Sequence, residues 1–407
     1  MFPGVHAVTS PDRPAVVMSG SGRSLTYREL NENSAKFARV LHDLGLRKGD
    51  VFAFVSDNAP ECFELYWAAL RSGLYVTPVN RNLSPTDAAF IIHDSDSKVL
   101  VVSAGVRALA EALVPLTPQI TNRFCFGGPI AGYRSYEAMR ANAGVPLVQC
   151  PRGSDLLYAA STTGRLTGMK PPLLPIEVDQ PGDPNTMAIG MAYRFTFSDV
   201  YLTPSPIDHD ASLRWCGAVH AYGGTVVMME KFDAEQVLQA LETHFVTVAQ
   251  MEPAMFVRML QLSEAVRAKY DLSSLRSIVH AAAPCPPVVK KSMIDWVGMI
   301  LNEYYSPIEG NGFTTISSGE WLARPRSVGR SALGTLHICD DEGTELPAGE
   351  VGTVYFEREV APFEYHKDLE KTASTRHPDY PTWTAVGDHG FLDVDGYLFL
   401  ADRSSAS

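Results

Sequence analysis

Short apolar runs alternate with amphipathic stretches along most of this chain, and this alternation limits the possible folds more than any other feature. Helices are predicted at 26–44 and 58–73, the first opening on a capping box formed by Thr26 and Glu29. Buried strands are predicted at 51–55, 75–78 and 99–102. Strands that alternate with helices indicate crossover connections and a parallel sheet.

The alternation resumes in the middle of the chain and then gives way to strands alone. Helices are predicted at 211–222, 233–244, 255–269 and 287–296. Strands are predicted at 225–229, 246–250, 277–281 and 301–305. From 327 to 400, short strands at 335–339, 352–357 and 397–400 are separated by turn signals such as Asp395-Gly396. The sequence therefore predicts two α/β layer systems followed by a small β-rich region.

Composition narrows the possible classes of function. The formal net charge is -12 and lysines and arginines do not cluster, which argues against nucleic acid and anionic membrane surfaces as partners. The six cysteines lack metal-ligand or redox-motif spacing, so we expect reduced thiols in a cytoplasmic protein. No apolar run has membrane-spanning length, and the N-terminus lacks the pattern of a signal peptide.

One loop has the composition of a phosphate-binding segment. An apolar run at 156–160, predicted to be a buried strand, leads into the hydroxyl residues Ser161, Thr162 and Thr163 and the glycines Gly164 and Gly168. Consecutive backbone N–H groups, hydroxyl donors and glycines can hold phosphate oxygens. A solvated connector has the same composition, and this stretch taken alone favours the connector.

Three further segments carry side chains suited to nucleotide chemistry. Tyr305 ends an apolar strand, where its ring could stack on a base or fill the core. Glu309, four residues later, could bind a hard cation or lie in solvent. Asp388 follows a glycine, where it suits a ribose diol or a simple turn. His209 ends a kinked loop, and a structural role is its simpler interpretation. The sequence contains no nucleophile elbow, no His-Glu-x-x-His and no Gly-Lys-Ser/Thr loop.

Taken together and in order, these segments resemble the adenylate-forming (ANL) superfamily, in its acyl-CoA synthetase, or fatty-acid–CoA ligase, branch. The match runs almost from end to end through stretches at 25–30, 58–61, 73–80, 281–284, 325–330, 343–350, 386–388 and 395–397. The family joins a carboxylic acid to coenzyme A through an acyl-adenylate. The resemblance therefore implies ATP or AMP, Mg²⁺ and coenzyme A as cofactors.

The resemblance also implies an architecture, that of an acyl-CoA synthetase N-terminal domain. It predicts an α/β fold with two doubly wound α/β subdomains packed together, at 1–170 and 171–326, plus a small β-rich, barrel-like subdomain at 327–400. Residues 401–407 would begin the hinge to a C-terminal lid domain that the chain lacks. On this basis we expect the chain as given to bind ligands but to turn over slowly.

Roles carry over from the family position by position. The residues predicted to bind the nucleotide are Thr162, Thr163, Gly164, Gly168, Ala282, Ala283, Pro284, Tyr305, Asp388 and Arg403. In this set, the resemblance implies that Tyr305 stacks on adenine, that 282–284 lie along the adenine edge, and that Asp388 and Arg403 hold the ribose. The predicted catalytic residues are His209 and Glu309, of which Glu309 is also the Mg²⁺ ligand. The residues predicted to contact the acyl group are His209, Trp215, Gly217, Ala281 and Gly310.

The departures from the family pattern fall on phosphate chemistry. The family loop reads approximately Ser-Gly-Thr-Thr-Gly-x-Pro-Lys-Gly, and its serine, first glycine, proline and lysine are here Ala160, Ser161, Leu166 and Thr167. The lost lysine contact to pyrophosphate is of a kind that contributes about 1.5–3 kcal/mol. A second motif has Ser306 for glycine and Ile308 for threonine, and the hinge has Ser405 for lysine or aspartate.

These departures predict a ligase with impaired adenylation. The enzyme would bind an acyl-adenylate, supplied by a separate adenylating enzyme, and form the thioester. In this it resembles the non-adenylating acyl-CoA ligases of bacterial diterpenoid (platensimycin-type) pathways, and antibiotic biosynthesis would be its context. An ordinary two-step synthetase and an inactive acyl-adenylate-binding module are the alternatives. Small residues at 281–283 and 310–312 leave room for a hydrophobic, bulky carboxylic acid.

Overall fold

A computed structural model describes residues 2–160 and 164–401. The α-helices are Pro3–Thr9 (α1), Tyr27–Asp43 (α2), Glu61–Leu70 (α3), Pro85–Asp94 (α4), Arg107–Leu116 (α5), Tyr136–Ala141 (α6), Pro184–Ala192 (α7), Asp210–Tyr222 (α8), Ala234–Thr243 (α9), Pro253–Leu260 (α10), Glu264–Arg267 (α11), Pro287–Val297 (α12), Ser318–Ala323 (α13) and Leu369–Ser374 (α14). None of the helices in these ranges is long and apolar enough to cross a membrane.

The strands follow the same chain order. They are Pro14–Met18 (β1), Ser24–Thr26 (β2), Val51–Val55 (β3), Tyr75–Pro78 (β4), Ser97–Ser103 (β5), Asn122–Phe126 (β6), Arg134–Ser135 (β7), Ser154–Asp155 (β8), Leu157–Ala160 (β9), Leu166–Lys170 (β10), Val200–Thr203 (β11), Thr225–Met228 (β12), Val248–Met251 (β13), Ser277–His280 (β14), Leu301–Tyr305 (β15), Phe313–Ile316 (β16), Ser327–Leu333 (β17), Thr335–Cys339 (β18), Gly352–Glu357 (β19), Glu364–Tyr365 (β20), Trp383–Thr384 (β21), His389–Leu392 (β22) and Leu398–Leu400 (β23). The mixture of helices with parallel and antiparallel strands confirms the predicted α/β class.

The chain separates by internal contacts into two compact units. The first unit comprises Met1–Thr186, Phe195–Ser198 and Ser205–Lys231. The second unit comprises Met187–Arg194, Asp199–Pro204 and the chain from Phe232 onward. The finer boundaries at 170, 326 and 400 remain predictions.

A parallel six-stranded sheet is the centre of the first unit, in the order β7-β6-β5-β3-β4-β8. Strands β3 and β4 are buried at every position, as a sheet covered on both faces requires. Helix α2 begins at the predicted capping box, in which Thr26 Oγ1 accepts from the Glu29 backbone N–H and Glu29 accepts from the Thr26 N–H at 2.8 Å. The parallel sheet and the capping box were both predicted from the sequence, and both are confirmed.

A buried histidine joins three elements of the first unit. The indole N–H of Trp67 on α3 donates to His220 Nδ1 on α8 at 3.2 Å, and His220 Nε2 lies 3.1 Å from the carbonyl oxygen of Ala15 on β1. Since Nδ1 accepts, Nε2 must carry the proton, so the ring is neutral. Burial lowers the pKa of His220 to about 3, because the charged imidazolium would lose its hydration.

The second unit is built on one mixed sheet, in the order β18-β19-β22-β23-β17-β16-β15-β14-β13-β11. Strands β11, β13, β14 and β15 are parallel, and the strands from β15 to β18 along this order pair antiparallel. Because β14 and β15 run in the same direction, their carboxyl ends at His280 and Tyr305 lie at one edge of the sheet. Ligands of α/β sheets usually bind at such an edge.

The structure corrects three predicted elements. The helix predicted at 255–269 is interrupted: α10 ends at Leu260, and Ser263 starts α11 by accepting from the Val266 N–H. The strand predicted at 246–250 lies at Val248–Met251. The run at 156–160 is only partly buried, because β9 forms an antiparallel hairpin with β10, a strand that the sequence did not predict.

Candidate active site

Tyr305 and Asp388, which lie 83 residues apart, meet in the second unit. The Tyr305 hydroxyl donates to Asp388 Oδ2 at 2.6 Å. Tyr305 is the last residue of β15, and its ring stacks on Phe356 of β19 with centroids 6.3 Å apart and planes at 27°. Asp388 immediately precedes β22, which pairs with β19. An aromatic face thus lies beside a carboxylate, as recognition of a base and its ribose requires.

The loop between β15 and β16 carries Glu309, and glycines set its shape. The Ser306 hydroxyl donates to the Gly312 carbonyl oxygen at 2.8 Å, which closes the loop. Gly310 has φ +69°, a left-handed conformation that favours glycine. A Cβ on Gly312 would lie 1.9 Å from the Phe356 ring, so only glycine fits against this aromatic side chain.

Glu309 is held by a tyrosine. The Tyr365 hydroxyl donates to Glu309 Oε1 at 2.8 Å. Burial, and next the nearby Glu309 carboxylate, raise the pKa of Tyr365 well above its ordinary value, so the phenol stays protonated as a donor. The Lys371 ammonium lies 3.9 Å from the centre of the Tyr365 ring, in a cation–π contact that helps to fix the ring. Tyr365 therefore orients the carboxylate that the sequence predicts as the Mg²⁺ ligand.

The donor set around Glu309 fits Mg²⁺ in one particular way. Within residues 2–160 and 164–401, no group of three or more His, Cys, Asp or Glu side chains could hold a metal ion. Mg²⁺ commonly binds through one or two carboxylates together with substrate phosphates and water. An ionised carboxylate has about four acceptor positions, so the bond from Tyr365 leaves capacity for such a ligand. Glu309 fits a metal that arrives with a nucleotide.

The stretch predicted along the adenine edge follows β14. Ala281 is buried, and 282–284 are exposed immediately beyond the strand. Ala282 has φ +72°, a conformation that residues other than glycine rarely adopt. Strained backbone conformations of this kind are enriched at active sites and ligand-binding segments, where surrounding structure maintains them. The segment turns at the same sheet edge at which Tyr305 ends β15.

The predicted phosphate loop is the connection between β9 and β10 in the first unit. Thr162 and Thr163 lie outside the described residues, Gly164 is exposed with φ +80°, and Gly168 lies within β10 opposite Tyr158. Thr167, at the family's lysine position, is 9% exposed and pairs with Ala159. The side chain at this position therefore carries no positive charge that could contact a phosphate.

The loop that ends at His209 is tied down by an asparagine. Asn58 Nδ2 donates to the carbonyl oxygens of Ser205 at 3.1 Å and Met229 at 2.7 Å, and its Oδ1 accepts from the Ile207 N–H at 2.8 Å. Asn58 is 6% exposed. His209 is the N-cap of α8, but its side chain makes no capping hydrogen bond.

The residues on α8 predicted to contact an acyl group are packed against protein. Trp215 is 1% exposed and meets Phe195 edge-on at 6.1 Å. A Cβ on Gly217 would lie 2.7 Å from the Tyr66 ring. The adjacent Arg214 forms a bidentate ion pair with Asp155, with both N–O distances 2.9 Å.

The structure brings some of the predicted site residues together. Tyr305 and Asp388 are in contact, and Glu309, Gly310 and 281–284 occupy the second unit with them. Gly164, Gly168, His209, Trp215 and Gly217 belong to the first unit. Arg403, like Thr162 and Thr163, lies outside the described residues. Their common role in one site stays a prediction.

Two polar side chains were missed as site residues. The sequence gives no distinctive signal for Tyr365, because a tyrosine in a short strand is too common to be informative. Asn58 follows the carboxyl end of β3, in a stretch that carries the family resemblance, and the resemblance implies no role for it.

Comparison with known proteins shows the family to which the chain is similar. The AMP-binding enzyme family matches residues 5–360. Fatty acid–[acyl-carrier-protein] ligase ScoC of Streptomyces coeruleorubidus is 27% identical over 433 residues, covering 98% of this chain and 75% of its own length. Long-chain-fatty-acid–CoA ligase FadD13 of Mycobacterium tuberculosis is 27% identical over 402 residues, covering 98% and 77%.

Solved structures share the fold. The inhibitor-bound N-terminal domain of FACL13 from Mycobacterium tuberculosis has a TM-score of 0.84 at 24% identity, and 98% of each chain is covered. The amide bond synthetase McbA from Marinactinospora thermotolerans has a TM-score of 0.82 at 24% identity, covering 99% of this chain and 79% of that one. The architecture is thus the one expected for an acyl-CoA synthetase N-terminal domain.

Proposed function

Since this chain belongs to the AMP-binding enzyme family, we propose that it transfers the acyl group of an acyl-adenylate to the thiol of coenzyme A. In the full reaction of such a ligase, the acid carboxylate attacks the α-phosphate of ATP and releases pyrophosphate. The thiolate then attacks the acyl carbon and releases AMP. The named acyl–thiol ligases among the relatives support this reaction class.

The observation that carries the proposal is the pairing of Tyr305 with Asp388. A ring that can stack on adenine lies within a hydrogen bond of a carboxylate that can accept from the ribose diol. Glu309, oriented by Tyr365, belongs to the loop that leaves the same tyrosine. Nucleoside monophosphate recognition therefore has a physical basis in this chain.

Mg²⁺ and the nucleotide would have identifiable partners in this chain. Glu309 would bind the metal, which would neutralise charge on the phosphates when bound. Tyr305 would hold the adenine, and Asp388 the ribose. We propose the phosphate loop around Gly164 and the ribose partner Arg403 on the family resemblance alone.

We further propose that the adenylation step is impaired. Thr167 replaces a cation and is buried in β10. The next lysine along the chain, Lys170, lies with its ammonium 5.2 Å from the centre of the Tyr75 ring, so it is engaged elsewhere in the first unit. Without a lysine aimed at the departing pyrophosphate, the bond to the α-phosphate breaks more slowly.

An ordinary two-step synthetase is the second candidate, and Arg165 favours it. This cationic residue is exposed in the same loop, two positions before Thr167. If Arg165 contacts the pyrophosphate, adenylation proceeds without the lysine. The substitution Arg165→Ala separates the candidates, because it abolishes adenylation only where the arginine performs this role.

The source of the acyl group and its acceptor follow from the same proposal. A ligase that adenylates slowly needs an acyl-adenylate from a separate adenylating enzyme. Coenzyme A is the proposed acceptor, and the thiol of an acyl carrier protein is the alternative suggested by ScoC. A hydrophobic, bulky acid of secondary metabolism remains the proposed substrate class.

Two assays test the proposal on the same preparation. Dodecanoyl-adenylate with coenzyme A measures thioester formation, and ATP with dodecanoic acid measures pyrophosphate exchange. We expect thioester formation with exchange near background, and a rise in exchange in the triple variant Ser161→Gly, Thr167→Lys, Ile308→Thr. Robust exchange by the unaltered protein would contradict impaired adenylation. AMP binding without either reaction would favour the inactive binding module.

A further inference from the structure

Both amide hydrogens and the amide oxygen of the Asn58 side chain form hydrogen bonds to backbone atoms. One of its amide hydrogens goes to the Ser205 carbonyl, the other goes to the Met229 carbonyl, and the amide oxygen accepts from the Ile207 N–H. These partners lie 147, 171 and 149 residues away in the chain. Such a set of bonds fixes the path of one backbone segment against the end of a strand.

The segment fixed in this way is the one that delivers His209. Ser205 and Ile207 lie four and two residues before the histidine, and the His209 N–H donates to the Pro206 carbonyl at 3.1 Å. Met229 directly follows β12, so the asparagine joins the segment to the sheet. The hydrogen bonds of Asn58 therefore help to fix the position of the His209 backbone.

A second bond acts on the neighbouring residue. Asp208 Oδ2 accepts from the Arg81 backbone N–H at 3.0 Å. Burial raises the pKa of Asp208, and the bond to Arg81 opposes that rise. The segment before α8 is thus hydrogen-bonded near both of its ends, and the backbone that carries the imidazole of His209 is anchored to residues distant in the chain.

We infer that Asn58 is a positioning residue for His209. The inference rests on the proposed function, with His209 in the predicted role of a catalytic residue that contacts the acyl group. The three side-chain hydrogen bonds of Asn58 all go to backbone atoms, so it acts by holding the imidazole at a fixed place. Displacement of a reacting group by about 1 Å can reduce a rate by about 100-fold.

The substitution Asn58→Asp tests this with almost no change in shape. One oxygen can still accept from the Ile207 N–H, but the other would face the carbonyl oxygens of Ser205 and Met229 and repel them. Asn58→Ala removes all three bonds. A matched control is Tyr136→Phe, which removes one buried hydrogen bond to Glu64 at 2.8 Å in the same unit and far along the chain from the histidine segment.

The primary readout needs no substrate. The His209 ring resonance, identified by its loss in His209→Gln, is followed by NMR in protein with isotope-labelled histidine, and the other histidines serve as internal references. We expect both Asn58 variants to shift the His209 resonance, and Tyr136→Phe to lower the melting temperature without that shift. An unchanged His209 resonance in folded Asn58 variants would overturn the inference.

If the Asn58 variants do not fold, a second measurement on the unaltered protein still tests the inference. In the unaltered protein, the Ile207 amide hydrogen should exchange slowly with solvent because it donates to buried Asn58. Rapid exchange would equally overturn the inference. Failure of the proposed function appears differently: thioester formation from dodecanoyl-adenylate would be absent in the unaltered protein, while the NMR shift would remain. If both hold, thioester formation should fall in the Asn58 variants by up to about 100-fold.

Discussion

Replacement of Tyr305 separates its ring from its hydroxyl group. Tyr305→Phe keeps the ring that stacks on Phe356 and removes the hydroxyl that donates to Asp388 at 2.6 Å. Tyr305→Ala removes both. If this residue recognises adenine and also orients the ribose-binding carboxylate, the two variants should weaken AMP binding by different amounts and through different parts of AMP.

The sizes of the two effects follow from the contacts. Stacking of a base on an aromatic ring contributes about 1–3 kcal/mol, so Tyr305→Ala should raise the Kd for AMP by about 5- to 150-fold. A hydrogen bond to a charged acceptor contributes about 1.5–3 kcal/mol. Because both side chains are only partly buried, the lower end applies, and Tyr305→Phe should raise the Kd by about tenfold at most.

Calorimetric titration with AMP and with 2′,3′-dideoxy-AMP distinguishes the two contributions. Tyr305→Phe should reduce the preference for AMP over the dideoxy compound, since that preference depends on Asp388. Tyr270→Phe is the matched control, because this partly buried tyrosine donates from its hydroxyl to Glu235 at 3.0 Å elsewhere in the second unit. AMP binding by Tyr305→Ala that equals that of the unaltered protein would refute the assignment of Tyr305 to the adenine.

Three other substitutions or conditions have predicted outcomes. Tyr365→Phe removes the hydrogen bond that orients Glu309 and should lower the affinity for Mg²⁺ in the presence of ATP by about tenfold. An unchanged Mg²⁺ titration would contradict this. Burial lowers the pKa of His220 to about 3 from 6.5, so the unfolded chain binds a proton that the folded chain does not, and stability should fall below pH 6.5 by about 1.4 kcal/mol per pH unit. Urea unfolding at pH 7 and pH 5 measures that loss, which His220→Gln should diminish. Asp155→Ala deprives Arg214 of a bidentate partner and should cost about 3–5 kcal/mol of unfolding free energy, most of it recovered by adding Arg214→Met.

Much of the fold could be predicted because the hydrophobic pattern is local. The sequence predicts a strand at 301–305 that ends in a tyrosine, and β15 has those bounds. Thr26 and Glu29 specify a helix start through bonds within four residues. By contrast, β10 has the sequence Leu-Thr-Gly-Met-Lys, which has little intrinsic preference for a strand, and its pairing with β9 supplies what the pattern lacks.

The site was predictable only in its components. Tyr305, Glu309 and Asp388 could be named from the family resemblance, but the hydrogen bond between the first and last joins segments 83 residues apart. The contacts of Asn58 and Tyr365 likewise depend on how distant strands are placed, and no spacing in the sequence encodes them. Long-range polar contacts of this kind become visible only in the folded chain.

The central claim is that contacts to the nucleoside monophosphate are retained while those to the departing pyrophosphate are weakened. The most direct measurement is the ratio of the Kd values for AMP and ATP, with Mg²⁺ present, in the unaltered protein and in the double variant Ser161→Gly, Thr167→Lys. We predict a ratio near one for the unaltered protein and a gain in ATP affinity of about tenfold or more in the variant, with AMP affinity unchanged. Much tighter binding of ATP than AMP by the unaltered protein, or a variant with the same ratio, would contradict the claim.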